Sequence, residues 1–417
     1  MRYHTFLFIF YFLTNQYLTA QKSVLSLRTC VERAQNNSFL IHAGEKKIEA
    51  AQKNYQYIRY QSLPQINGQL STDYHKLDPY SFNQKSALLT IDWSPGDFFL
   101  NTAQMAKHDK LIAQTEMEQQ RLDVSLRCAL LYIHILQQLE RRELMKRRLT
   151  LLDTHYNVAE ALWQSGIRTR FDLLQTETEI ARLKEDMTYL ELDHQNYIQE
   201  LGQLIGEKNP GDIEIQPLDT KHIYNRPLPE ISTATIERLP AIESYKLRIK
   251  AQQLHTRIVT AQELPHLNVF GGFMQDGDPA GDGNYWQTGA GISLPVFRWK
   301  AASFQKQESK VLSQALDFQK QETERNISVF IAQIQQKLAK LKDVIQLQHQ
   351  RLKITENAFK IADANYQAGL ITNLEYLAAQ QQLNETQFDI QKTQLEYTGA
   401  LIQFYITTNQ AEKINEL

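Results

Sequence analysis

Gln61-Ser62-Leu63-Pro64-Gln65-Ile66-Asn67-Gly68 returns later in the chain as Gln262-Glu263-Leu264-Pro265-His266-Leu267-Asn268-Val269. Tyr156 to Leu183, carrying Gln164-Ser165-Gly166-Ile167, returns as Phe359 to Thr386, carrying Gln367-Ala368-Gly369-Leu370. The prolines stand 201 residues apart and the glycines 203. Two landmarks of different character that keep almost the same spacing identify a duplicated unit of helix, strand hairpin and long helical hairpin.

Outward from these landmarks, glycine and proline punctuate the rest. Gly96 and Gly166 enclose 69 residues with neither, and Pro295 and Gly369 enclose 73, both stretches rich in Gln, Glu, Lys, Leu and Ala. Each is a candidate single helix of roughly 100 Å. Helices in globular proteins average about 11 residues, so rods of this length must bury a seam against neighbours of similar length. Leu149, Leu152, Tyr156, Ala159 and Trp163 supply it in the first unit and Leu352, Thr355, Phe359, Ala362 and Tyr366 in the second, with Leu338, Leu341, Ile345 and Gln348 upstream in phase. Leu27 to Tyr60 and Asp172 to Leu201 are each about half as long as the helix between them, so the two stacked end to end match one rod. Ile242 to Ala261 and Asn373 to Ile406 flank the second rod in the same way. Pro210, Pro217, Pro227, Pro229 and Pro240 mark an ordered, non-helical belt where the short helices abut. The expected organisation is a signal peptide over residues 1–20, a first repeat over 21–206 (strand hairpin 64–94, tip at 166), a linker over 207–240, a second repeat over 241–408 (strand hairpin 265–295, tip at 369) and a tail over 409–417.

The segments between helices read as strands. Gln65, Asn67, Gln69, Ser71 and Asp73 alternate with Ile66, Gly68, Leu70, Thr72 and Tyr74, giving one wet and one apolar face. Ala87, Leu89, Ile91 and Trp93 alternate with Ser86, Leu88, Thr90 and Asp92, and Trp286, Thr288, Ala290, Ile292 and Leu294 with Tyr285, Gln287, Gly289, Gly291 and Ser293. Leu267 to Gln275 is less regular, with Phe270 and Met274 on the face that should be polar. Strands of this length with interfacial aromatics suit a transmembrane β-barrel, and a soluble two-sheet cap has the same alternation. Lys76 to Gln84 and Asp276 to Asn284 read as polar loops at the outer face. Bacterial membrane barrels begin at about eight strands, so the strands of this chain need other copies of it to close. The helices continue from Pro95 and Pro295 and must close with them, and a strand barrel on a helix barrel is a conduit.

Arg2, the apolar run Phe6 to Leu13 and Leu18-Thr19-Ala20 fit a secretory signal peptide cut after Ala20. A run of eight apolar residues is far short of a membrane-spanning helix, which argues against a retained anchor, and no run of 18 follows. A net charge of -2 leaves no basic footprint for nucleic acid. Cys30 and Cys128 form no disulfide framework and read as buried thiols at equal height, 34 residues before Pro64 and 33 after Pro95. His108, His134 and His155 are too far apart to share a metal. No phosphate-binding loop, His-Glu-x-x-His or Cys-x-x-Cys is present, so neither an enzyme, a cofactor nor a metal is expected.

Leu-Pro before each hairpin, Pro after each, and tip signatures running from Trp163-Gln164-Ser165-Gly166 to Asp172-Leu173-Leu174-Gln175 and from Tyr366-Gln367-Ala368-Gly369 to Glu375-Tyr376-Leu377 resemble the TolC family of outer membrane efflux proteins. The resemblance covers essentially the whole mature chain. It implies a mainly α fold with a small β part: long antiparallel helical hairpins forming an α-barrel, and four strands per chain contributing to a trimeric barrel of about 12 strands. It also implies a homotrimer in the lipid of a Gram-negative outer membrane, with a large periplasmic part. As the exit duct of a tripartite efflux or type I secretion system, it would meet a periplasmic adaptor and an inner membrane RND or ABC pump that supplies the energy. Asp172 and Glu375 each stand six places after a tip glycine, in the first turns of the return helices near the positive dipole ends. Helix stabilisation is the plain reading. In a trimer, three copies of each would make carboxylate rings that bias a pore constriction toward cations. Likeness to the family further implies a closed-state lock between Tyr366 and Asp172. The family's usual basic partner two places after the second glycine is Ile371 here, while the first unit has Arg168 and Arg170. Ser165, Gly166, Ile167, Ala368, Gly369 and Leu370 are small or apolar groups at the tip, suited to docking an adaptor's helical hairpin. The alternative is a non-conducting periplasmic coiled-coil adaptor or envelope spacer. Adaptors, however, flank one hairpin with β-rich domains, whereas here two hairpins alternate with strand pairs.

Overall fold

Two unbroken helices of 63 and 67 residues, about 95 and 100 Å long, set the scale of the molecule. The computed structural model describes residues 23–61, 63–92, 102–219, 223–225, 227–261, 266–276, 283–293, 296 and 300–416. In chain order these are β1 (Ser23–Leu25), α1 (Leu27–Asn37), α2 (Phe39–Gln61), β2 (Gln65–Leu77), β3 (Tyr80–Asp92), α3 (Thr102–Gln164), α4 (Arg170–Ile205), β4 (Ile213–Ile215), α5 (Thr233–Ile236), α6 (Pro240–Ala261), β5 (His266–Asp276), β6 (Gly283–Ser293), α7 (Ala301–Gln367) and α8 (Asn373–Thr407), with short 3-10 turns between. The expected signal peptide, Pro95 and Pro295 lie outside the described residues.

Helix packing makes a strip four helices wide. In the half next to the strands the order is α2, α3, α6, α7, and in the half next to the tips it is α4, α3, α8, α7. Cross-helix pairs fix this order: Arg121 with Glu45 and Arg248 with Glu116 in the first half, Arg148 with Glu179 and Arg351 with Asp389 in the second. The four-stranded sheet follows the same sequence, β2-β3-β5-β6, all antiparallel. One edge of the strip is therefore β2, α2 and α4, and the other is β6 and α7.

Three sequence expectations need correction. The single leading helix over Leu27 to Tyr60 breaks at Ser38, whose backbone is extended (φ -72, ψ 117). Asn37 Nδ2 donates to the Ile205 carbonyl at 2.8 Å, so the break is moored to the end of α4, where Gly206 takes a left-handed φ of 73. A Cβ on Gly206 would come within 2.7 Å of Asn37 Cγ. The loop expected over Lys76 to Gln84 is mostly strand: β2 and β3 run to 13 residues each and join through Asp78 and Pro79. The belt over 207–240 is not free of helix, because it holds α5 and two 3-10 turns, and its strand β4 pairs in parallel with β1.

The core gathers where the half-length helices abut. Cys30, Cys128, Tyr132, Ile135, Leu201 and Ile402 pack together there without solvent exposure, and a second cluster joins Ile242 and Leu338 to Phe404. Both thiols are unbonded, and burial pushes Cys30 up to about 12 and raises Cys128 as well. Toward the tips the seam thins to Met145, Leu152, Leu183 and Leu190. Of the expected seam, Leu152, Ala159, Thr355 and Tyr366 are buried, but Trp163 is 38% exposed. The buried stripe of α3 runs instead through Leu152, His155 and Ala159.

Tyr132 ties three segments at this core. Its hydroxyl lies 2.5 Å from the Gln216 carbonyl and 3.1 Å from that of Leu25, joining α3 to the belt and to β1. The Leu25 carbonyl also accepts the Gln216 N–H at 2.9 Å, so the Gln216 carbonyl depends on Tyr132 more. Tyr132→Phe is expected to cost about 1–3 kcal/mol by stranding that carbonyl. Circular dichroism should show a lower thermal midpoint with an unchanged folded spectrum, and an unchanged midpoint would remove the keystone role.

Candidate functional site

The two ends of the strip carry the chemistry. At the strand end, register aligns Ile66, Ile91, Val269 and Ala290 in one row across the sheet, and Leu70, Ala87, Phe273 and Trp286 in another. Leu70 is 85% exposed, Trp286 78% and Ile292 75%. Among the described residues nothing covers Leu70, Trp286 or Ile292, and apolar side chains exposed together in this way are unsuited to water. Among the described residues no helix is long and apolar enough to cross a membrane.

At the other end, each long helix stops in a glycine turn. Gly166 and Gly369 both sit at φ 75, a left-handed conformation that only glycine adopts without strain. Gly166 N–H donates to the Trp163 carbonyl and Ile167 N–H to that of Leu162, and the pattern repeats at Gly369 and Leu370 with Tyr366 and Asn365. The return helices α4 and α8 then open with matching capping boxes. Asp172 accepts the Thr169 N–H at 3.3 Å while its own N–H donates to the Thr169 hydroxyl, and Glu375 accepts the Thr372 N–H at 2.7 Å. These bonds from Thr372 hold the Glu375 carboxyl below its ordinary range. The Thr-x-x-acid pattern is written in the sequence at Thr169 and Thr372, and it explains both acids without a second partner.

The expected Tyr366–Asp172 hydrogen bond is not formed. Asp172 is turned back onto its own helix end, and the Tyr366 hydroxyl is buried with no hydrogen-bond partner among the described residues. Burial raises its pKa. Arg168 takes over part of the bridging: its guanidinium stands 5.1 Å over the Tyr366 ring and donates to the Ile371 carbonyl, so the position that lacks a basic side chain offers its backbone to one from the other tip. Ser165, Gly166, Ile167, Ala368, Gly369 and Leu370 are all exposed, and a Cβ at Gly369 would lie 3.7 Å from Ile167 Cγ2, so the two tips touch. Phe171, Leu174 and Leu374 are exposed beside them and widen the apolar end beyond the residues expected from sequence. Sequence reasoning also missed His155, Thr176 and Asn373, which lie buried between the hairpins; no local pattern marks them.

The model of the family described as "Outer membrane efflux protein" matches residues 30–207 and 232–410. The pyoverdine export outer membrane protein OpmQ of Pseudomonas aeruginosa is 22% identical over 398 residues, covering 87% of this chain and 80% of that protein. The crystal structure of CusC superposes with a TM-score of 0.82 at 17% identity, covering 92% of this chain and 91% of that one. The outer membrane protein VceC of Vibrio cholerae superposes with a TM-score of 0.76 at 18% identity, covering 91% and 95%.

The capping boxes generate a direct expectation. Thr372→Ala removes both the acceptor for the Glu375 N–H and a donor to its carboxylate, and is expected to cost about 1 kcal/mol. Amide exchange in the first turn of α8 should quicken while the rest of the chain keeps its protection. Because the folded state holds Glu375 below its ordinary value, its contribution is complete above that value and fades as pH falls through the depressed one. Wild-type protection in this turn should therefore drop in acid, and a flat profile would assign the turn's stability elsewhere.

Proposed function

Since the chain belongs to the outer membrane efflux protein family, whose members are outer membrane channels for export, we propose that three copies close edge to edge into one conduit. The observation that carries this reading is the strip with two open sides. Its sheet ends at β2 and β6, and open edges are not tolerated in lipid. Beneath β6, α7 presents Phe304, Val311 and Phe318 and then Leu347, Ile354 and Ile361, two exposed stripes of heptad spacing. The opposite edge answers at matching heights. Tyr57 and Tyr60 lie at the strand end of α2, level with Phe304. Tyr189 of α4 is 19 residues from Arg170 and Leu347 of α7 is 20 from Gln367, so both stand about 30 Å from the tips. Fully buried, six such side chains are worth on the order of 10 kcal/mol per interface.

In this assembly the sheets form the barrel in the outer membrane and the helices a tunnel in the periplasm. The exposed tips, Ser165 to Ile167 and Ala368 to Leu370, dock a periplasmic adaptor, and an inner membrane pump of RND or ABC type selects and drives the cargo. Asp172 and Glu375 line the narrow end as carboxylate rings, and the capping bonds from Thr372 favour the ionised form of Glu375. An envelope spacer is not favoured, because it has no use for an uncovered apolar sheet face.

Single-particle imaging of the detergent-extracted protein tests the assembly. A hollow three-fold cylinder whose helical part is roughly 100 Å long is expected. Replacing Phe318 and Ile354 together with Glu should leave monomers that keep their helix content. A wild type that images as a compact monomer, or that salt alone extracts from membranes, would return the choice to the spacer.

A further inference from the structure

His155 on α3, Thr176 on α4 and Asn373 at the start of α8 form a polar cluster buried between the two hairpins, at 3%, 0% and 0% exposure. Asn373 Nδ2 donates to the Asp172 carbonyl at 2.9 Å and lies 3.2 Å from the Thr176 hydroxyl, and Asn373 Oδ1 accepts from His155 Nε2 at 2.7 Å. A backbone carbonyl can only accept, so the amide group must face Asp172 and the amide oxygen His155. His155 then carries its proton on Nε2. Its ring stacks on Tyr376 at 3.7 Å and 9° and meets Tyr366 at 4.6 Å. One amide thus moors the first turn of α8 to both helices of the other hairpin.

Resting on the conduit reading, we propose that the Asn373 amide, held by His155, Thr176 and the Asp172 carbonyl, is the latch that fixes the two helical hairpins of each chain to one another at the tip, and that protonation of His155 releases it. A second proton on His155 goes to Nδ1 and leaves the Nε2–H to Asn373 in place, so what strains the closed latch is a charge buried between the hairpins, which their separation returns to water. Burial already holds this imidazole below its usual value, opposed by its bond to Asn373 and by the Asp363 carboxylate of α7. Arg168 brings a positive charge to the Tyr366 ring, and the Asp172 carboxylate is engaged by Thr169. A histidine held low in the folded state gives its full stabilisation above the free value of about 6.5 and loses it as pH falls. Acid therefore loosens the latch, while neutral conditions keep it closed.

The test is closed-state conductance of the full mature protein in planar bilayers at about pH 7.5 and about pH 5, either side of the free imidazole value. Wild-type conductance should rise several-fold on acidification. His155→Gln keeps an N–H for Asn373 Oδ1 and cannot titrate, so it should hold the low conductance at both pH values. Asn373→Leu should give the raised conductance at both. Spin labels at Ser165 and Gln367 supply a readout independent of conduction: their separation should widen in acid for the wild type, stay short in His155→Gln and be wide throughout in Asn373→Leu. Identical pH responses of the label distance in wild type and His155→Gln would overturn the latch, as would a wild-type distance in Asn373→Leu. Label distances that behave as expected in a protein that conducts nothing would instead sink the conduit reading and leave the latch standing.

Discussion

A sheet with one apolar face and two open edges is the constraint on which the rest of the structure depends. In lipid, an unsatisfied backbone group costs several kcal/mol, so a sheet that spans a membrane must close on itself. Four strands are too few to curl shut. In the proposed conduit the sheet therefore needs other copies of the chain, and the helices inherit the consequence. Each long helix follows a strand of the sheet in the chain, and the lateral order of helices repeats the lateral order of strands, so in the proposed conduit closing one closes the other. The apolar side chains left exposed on α7 fall on the same side of the strip as β6, where closure requires them.

Length imposes a second demand. A rod of 63 or 67 residues cannot be matched by a single antiparallel partner when the chain must also supply strands at one end, and two half-length helices on each flank solve this. Their junction is the weak point of such a design, since helix ends leave backbone groups without partners. The largest core cluster sits there, with β1, β4 and the Tyr132 hydroxyl supplying the missing bonds. The tip halves carry a thinner core of Met145, Leu152, Leu183 and Leu190 and are held by specific polar contacts instead. Thin cores and polar moorings are what a movable end needs.

Much of this was legible in the sequence because it rests on local rules. Absence of glycine and proline located both rods, and alternation located the strands with the correct faces: Ile66 and Ile91, assigned to apolar faces separately, are register partners. Propensity placed Leu27 to Tyr60 in one helix; the break at Ser38 depends on Asn37 reaching the Ile205 carbonyl, a contact across 168 residues that no local pattern carries. The same limit hid the tip. Both acids were found from their spacing after the glycines, but the Tyr366 lock was a carried-over expectation, and Asp172 is satisfied locally by Thr169. Tyr366 turns inward and packs on the buried imidazole of His155, whereas its counterpart Trp163 is exposed.

That asymmetry separates the two kinds of work the tip residues do. At the glycine offset of 203, Thr169 corresponds to Thr372 and Asp172 to Glu375, and both units keep the capping box because each hairpin needs its own turn. Arg170 corresponds to Asn373, Arg168 to Ile371 and Thr176 to Ala379, and these pairs differ in chemistry. They are the residues that reach from one hairpin to the other: Arg168 to the Ile371 carbonyl, Asn373 to His155 and Thr176. Identical repeats could join through reciprocal contacts, but the bonds here are one-sided: Arg168 of the first unit reaches the second unit's backbone, and Asn373 of the second reaches the first unit's His155, Thr176 and Asp172 carbonyl. The capping boxes that each hairpin needs for itself are kept in both units, and the bonds between hairpins fall where the units differ.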